Sequence, residues 1–178
     1  AYMASIYMRI DGNDTIKGSA TVTDIGGKKG FFALDSSSWS AMRNVSVDIG
    51  NADNSDGGMV ALGEFQCTKP FDGASPFITT FLFAPGQKGK KVEVVFTKPN
   101  REGKGLIPYL IVTLENARIS SYSISGSDGS QPAESFAMTY STIAQTYYVE
   151  SDGGKVEKAA EVAFDTTTAE ITSQADLK

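Results

Sequence analysis

Apolar and polar residues alternate along much of this chain, the period-two pattern of half-buried β-strands. Ile6, Met8 and Ile10 alternate with Tyr7, Arg9 and Asp11. Val92, Val94 and Phe96 share one face, with Glu93 and Thr97 on the other. Val162 and Phe164 alternate with Glu161, Ala163 and Asp165. Further strands are expected over residues 31–40, 44–49 and 58–69. Two stretches, 106–124 and 134–149, exceed the usual strand length of roughly 3–10 residues, and each changes phase midway. In the first, Leu110, Val112 and Leu114 are followed by Ala117 and Ile119, then by Tyr122 and Ile124. In the second, Phe136, Met138 and Tyr140 give way to Ile143, Tyr147 and Val149. A one-residue phase change sends side chains to the opposite face. Each stretch therefore implies a bulge or bend where a strand passes from one sheet to another, as at a barrel corner. The chain reads as mainly β.

One segment reads as a short α-helix, 75–84. Ser75 suits a cap and Pro76 the first helical position. Phe77 with Phe81, and Ile78 with Leu82, form i,i+4 pairs, and Pro85-Gly86 ends the run. So short a helix depends on docking, either as a plug at one end of a barrel or at an interface between subunits. Loops rich in Gly, Asn, Asp and Ser are expected at 11–14, 50–58, 126–132 and 151–155. Residues 3–165 read as one domain, and the polar stretch 166–178 as a frayed tail. Ala1 and Tyr2 precede Met3, so Met3 reads as the start and the two residues before it as an expression remnant. There is no basic-then-apolar leader and no apolar run of membrane-helix length, so the chain is expected to be made in the cytoplasm.

Composition narrows the chemistry. Histidine is absent, which removes the commonest general base and metal ligand. Cys67 is the only cysteine, so no internal disulfide forms, and its strand pattern suits a small core residue. A net charge of −5 argues against nucleic acid or an anionic membrane as the main partner. Asp53 and Glu64 have the first-to-twelfth spacing of an EF-hand, with Gly58 sixth, but Gly57 at the fifth place offers no ligand, so a plain surface loop is expected. The run from Gly86 to Lys91 has glycines and lysines without the spacing or Ser/Thr of a phosphate loop, and it leads into a strand. Ser36, Ser37 and Ser38 lack a nucleophile elbow. No catalytic, cofactor or metal residue is assigned, and the chain is expected not to be an enzyme. Four acids, Asp48, Asp53, Asp56 and Glu64, occupy a stretch free of bases, while Lys88, Lys90, Lys91, Lys98, Arg101 and Lys104 crowd another. Opposed segments suit head-to-tail contact between copies; two solvated loops are the alternative.

An ordered set of motifs resembles the Hcp (haemolysin-coregulated protein) family, the tube proteins of the bacterial type VI secretion system. Cys67-Thr68-Lys69-Pro70-Phe71-Asp72-Gly73-Ala74-Ser75-Pro76 is similar to that family's strand-to-helix passage, where Thr-Lys precedes Asp-x-x-Ser-Pro. The segment from Tyr109 to Tyr122, with its Ser120-Ser121 pair, resembles the family's long strand. The loop 126–130, the strand from Glu134 to Tyr140, Tyr147 and a glycine turn at 151–154 follow in order, so the likeness covers about 5–165. Lys17-Gly18-Ser19 departs from the family's Gly-Glu-Ser, and 20–31 matches poorly.

The resemblance implies a flattened β-barrel of two antiparallel sheets with one short helix on its side. It implies hexameric rings that stack into a hollow tube inside a contractile sheath, expelled with a VgrG-type spike protein into a neighbouring cell. Small effectors would ride in, and be chaperoned by, the lumen, and the protein would be secreted without a signal peptide. Ser127 matches a position at the lumen wall and would face cargo; a loop serine without a role is the alternative. No cofactor, nucleic acid or membrane insertion is implied. Two other readings stand beside this one. The first is a monomeric secreted β-sandwich module binding carbohydrate or peptide, against which Trp39 in a strand-like run counts. The second is a carboxylate hydrolase.

Overall fold

A computed structural model describes the backbone of residues 5–22, 24–47 and 54–178. Met3, with the two residues before it, lies outside them, as do Asp48 and Asp53. The described chain forms β1 (Ser5–Ile10), β2 (Phe32–Leu34), β3 (Ser36–Ser38), β4 (Ala41–Val47), β5 (Asn54–Leu62) and β6 (Phe65–Pro70). Helix α1 (Ser75–Phe83) follows, then β7 (Lys90–Pro99), β8 (Leu106–Ser125), β9 (Ala133–Thr139), β10 (Thr142–Glu150), β11 (Val156–Asp165) and β12 (Glu170–Ser173). One antiparallel sheet runs β12-β11-β10-β8-β7-β1-β2, and a second runs β3-β6-β9-β8. The network does not close; it is a flattened barrel, with β4 and β5 pairing only with each other.

The overlong stretch 106–124 is one strand shared by both sheets. The first part of β8 pairs with β7 and β10, and its last part with β9. The phase change falls at Asn116, whose φ of 52° lies in the left-handed region. Its Oδ1 accepts the Gly89 N–H at 2.7 Å. Gly89 is needed there, because a Cβ would lie 2.5 Å from the Asn116 carbonyl carbon. On either side of the kink Leu114 and Ala117 both stay buried, so the bend keeps apolar residues facing inward as the strand changes sheet. A second shift, between Ile119 and Ser121, restores the even phase at Tyr122. The other stretch, 134–149, is two strands rather than one: Tyr140 and Ser141 break it, leaving β9 in the second sheet and β10 in the first.

Met8, Ile10, Phe32, Val92, Val94 and Leu114 of the first sheet meet Phe65, Cys67, Phe136 and Met138 of the second. Ile78 and Phe81 of α1 join this core, each contributing about 1.5–3 kcal/mol by burial. The helix lies against β8. Its buried stripe is narrower than the paired spacing suggested, because Phe77 remains exposed. Ser75 does not cap it: Ala74 holds that place without a side-chain hydrogen bond. The Ser75 hydroxyl is engaged elsewhere, as described below.

Several boundaries differ from expectation. The run 58–69 is not one strand: Gly63 and Glu64 break it between β5 and β6. The run 31–40 is two three-residue strands stepping from the first sheet to the second through Asp35, whose N–H donates to the Thr68 carbonyl at 2.8 Å. The expected loop 50–58 ends early, since Asn54–Gly58 belongs to β5. Within the tail expected to fray, Glu170–Ser173 is strand β12 on the edge of β11. In addition, the far face of β1 and β7 is covered. Ile25 and Phe31 pack on Tyr7 and Val95, and Glu93 and Thr97 are buried. Residues 20–22 and 24–31 thus form a strap over the first sheet, Ile16 entering the main core instead, and β7 is buried on both faces through its middle.

Candidate assembly surfaces

Lys69, on β6, has a fully buried ammonium. It donates to Glu134 Oε1 at 2.6 Å, Asp72 Oδ1 at 2.7 Å, the Pro70 carbonyl at 3.0 Å and Ser75 Oγ at 3.1 Å. The Ser75 hydroxyl donates to Glu134 Oε1 at 2.6 Å and accepts the Asp72 N–H at 3.0 Å. The Tyr122 hydroxyl closes the cluster by donating to Glu134 Oε2. Asp72 Oδ2 accepts the Ser19 N–H at 2.9 Å, so the first loop is tied to the helix entrance. One buried cation therefore joins β6, β8, β9, α1 and the 17–19 loop. Burial pushes the Asp72 carboxyl up, but the Lys69 ammonium and the Ser19 and Ala74 amides outweigh it and hold it below its usual value. Burial, then the Glu134 carboxylate, pushes the Tyr122 phenol up to about 12. Every polar group here is spent on another part of the same chain, which is the geometry of a brace.

A second brace holds the strap. Arg9 donates to the Lys29 carbonyl at 3.1 Å, to Asp11 at 3.0 Å, to Asp14 at 3.1 Å and to Glu93 at 3.2 Å. Lys28 reaches the same Glu93 oxygen at 2.7 Å. Burial lowers the Arg9 pKa, yet the Asp11, Glu93 and Asp14 carboxylates more than reverse that, and the guanidinium stays charged.

The outward face of the second sheet is lined with hydroxyls. Ser36, Ser38, Gln66, Thr68, Ser121, Ser123 and Ser135 border a shallow groove of about 350 Å³, with Glu64 the one ionisable carboxylate among its lining. Cross-strand hydroxyls touch, as between Ser123 and Ser135 at 2.6 Å. Ser127 lies in the β8–β9 loop at the end of this sheet; it is exposed, and its Oγ bonds that of Ser130 at 2.6 Å.

Other candidates resolve differently. Cys67 is a core residue whose thiol burial pushes up in pKa. Trp39 is half-buried and donates its indole N–H to the Tyr140 hydroxyl at 2.6 Å, so it is no free stacking platform. The EF-hand-like spacing crosses strand β5, where a calcium loop cannot wrap, and no group of metal-ligating side chains occurs among the described residues. The lysines at 88–91 lead into β7 as expected. The six bases are not one patch: Lys88, Lys90 and Lys91 sit where β7 begins, and Lys98, Arg101 and Lys104 where it ends, about 30 Å away.

The model of the family described as "Type VI secretion system effector, Hcp" matches residues 7–147. The chain belongs to the Hcp family. Its fold matches a structure described as a type six secretion system protein with a TM-score of 0.77 at 19% identity, over 97% of this chain and 100% of that one. Hcp1 from Salmonella typhimurium matches with a TM-score of 0.66 at 20% identity, over 94% and 98% of the two chains. Hcp1 from the E. coli EAEC 042 pathovar, as a double tryptophan mutant, matches with a TM-score of 0.59 at 23% identity, over 88% and 97%. No curated protein sequence matches. This is therefore an Hcp-type tube protein of the type VI secretion system, and Hcp proteins are secreted by that system. The Lys69 brace gives the family-like Thr-Lys, Asp-x-x-Ser-Pro and long-strand motifs a common physical reason. Its residues stand in the sequence as separate motifs, and nothing in their spacing shows that one lysine gathers them.

Proposed function

We propose that this Hcp-family chain forms hexameric rings which stack into the tube, that it does so without catalysis, and that the hydroxyl face of the second sheet lines the lumen. The observation that carries this is the β4–β5 hairpin. Among the described residues it pairs with no other strand. A lone two-stranded hairpin is marginal in water and needs a surface to rest on. Met42, on that hairpin, is 71% exposed in the single chain. A neighbouring copy supplies the missing surface.

Ser127 lies in the loop at the end of the sheet that carries the groove between Ser36 and Ser135. An almost uncharged wall of hydroxyls can hydrogen-bond passing cargo without holding it by strong ion pairs. Small effector proteins, the spike and the sheath are the partners this reading entails, and secretion through the type VI apparatus is the destination.

Negative-stain imaging and light scattering on the purified protein test the reading. Six-fold annuli with an open centre are expected. Replacing the hairpin tip, 44–59, with a short Gly-Ser link should leave the barrel folded by circular dichroism and reduce the particle to a monomer. Monomers at every concentration in the unmodified protein would overturn the proposal.

A further inference from the structure

At the foot of the hairpin lies an open cavity of about 330 Å³, lined by Val60, Leu62, Tyr140, Phe164 and Ala169, with exposed Glu64 and Thr166 beside them. It is a recess with an apolar floor and a polar rim, which includes Thr139, that the described residues leave unfilled. Elsewhere Phe83, the last residue of α1, projects into solvent with 80% of its surface exposed, more than any other aromatic among the described residues. We propose that Phe83 of one copy seats in the Val60–Leu62–Phe164 cavity of the next copy around the ring. This rests on the ring reading above and names the contact that would close it.

Shape is the first argument. A protruding aromatic and an open recess with an apolar floor on one chain, neither complemented among the described residues, make a heterologous pair. Charge is the second. Phe83 is followed by exposed Lys88, Lys90 and Lys91, and the cavity is flanked by exposed Glu64 and by Glu170 next to Ala169. Seating the ring thus brings three cations toward two carboxylates. Arg43 pairs across the hairpin with Val60 but is already partnered within the chain.

Position is the third. Lys90 pairs with Ala117, Leu114 with Ile143, and Ile143 with Phe164. The start of β7, the bend of β8, the start of β10 and the end of β11 therefore lie in a row at one end of the strands. Lys90, seven residues after the knob, and Phe164, on the wall of the recess, sit at the same level on either side of the β8 bend, about 14 Å apart by three strand spacings. Features at one level are brought together by rotating a copy about an axis, which can close, and not by sliding it along the strands.

The test uses the full chain. Phe83→Ala, at an exposed position, should keep the circular dichroism spectrum and raise the concentration at which rings dissociate by about tenfold or more. Lys88→Glu with Lys90→Glu, and separately Glu64→Lys, should each weaken rings, and combining them should recover part of the loss. Phe83→Cys with Leu62→Cys should give an oxidised ladder of covalent multimers ending at the ring; Cys67, buried in the core, does not compete. Rings that persist unchanged in Phe83→Ala, or a disulfide formed within one chain, would each overturn the contact while leaving the ring reading intact. Failure of the unmodified protein to form any ring would overturn both.

Discussion

At the scale of single residues, the Lys69 brace illustrates how a buried charge can organise a β-barrel. Removing one partner of a buried, hydrogen-bonded pair leaves an uncompensated charge, at a cost of about 3–5 kcal/mol. Lys69→Met and Glu134→Leu are each expected to lower stability by about that much in urea unfolding, and the double variant by less than the two together. If the double variant equals their sum, the pair is not coupled as its 2.6 Å contact implies. The same brace sets a pH dependence. Asp72 is held below its ordinary value of 3.8, so its contribution is present above that value and is lost as pH falls through the lowered folded value. Tyr122 is pushed up to about 12, so its contribution is present below the ordinary value of 10.0 and is lost as pH rises through about 12. Unfolding midpoints measured across pH should fall at both limits, and Tyr122→Phe should shrink the alkaline phase, to which the raised Tyr140 phenol and Cys67 thiol also contribute, while leaving the acid phase unchanged. None of this could be read from the sequence. Acids and lysines are mostly exposed, and only the folded chain shows that Lys69 and Glu134 are wholly enclosed.

At the scale of elements, phase was the most readable signal. The shift from Leu114 to Ala117 marked the corner where β8 changes sheet, because apolar residues must keep facing the core through the bend. The second phase change marked a real crossing too, but period alone could not distinguish a bent strand from a turn at Tyr140 and Ser141. The strap over residues 20–22 and 24–31 was not readable at all. Ile25 and Phe31 are too widely spaced to show a period of two or 3.6, and they are buried only because β1 and β7 present a second apolar face. The β8 corner should be sensitive to Asn116. Asn116→Val places a β-branched residue at positive φ and removes the acceptor for Gly89, at a cost of about 1–3 kcal/mol. Asn116→Gly relieves the backbone and should recover most of it. The check is the urea midpoint, with an unchanged slope showing that the native fold is kept. Equal losses in the two variants would place the cost in the lost hydrogen bond rather than the backbone.

At the scale of the whole molecule, the charges read as two opposed segments reorganise in three dimensions. Folding separates Lys98, Arg101 and Lys104 from Lys88, Lys90 and Lys91 by the length of β7, and it puts the latter three at the end that also carries Glu64. Only that second group stands at the right level to meet Glu64 of a neighbour side by side. Exposed ion pairs are screened over about 8 Å at physiological salt and over about 3 Å at 1 M. Apolar docking of Phe83 and of the hairpin is not weakened in that way. Self-association is therefore expected to weaken with rising salt but not to vanish. Sedimentation velocity at ionic strengths from about 0.05 to 1 M should show the ring dissociating at higher protein concentration as salt increases. Glu64→Gln should flatten that dependence while leaving rings at high protein concentration. A profile indifferent to salt would remove charge from the contact and leave the apolar surfaces to hold the ring alone. Complete loss of rings at 1 M salt would reverse that order, making the hairpin and Phe83 secondary to the ion pairs.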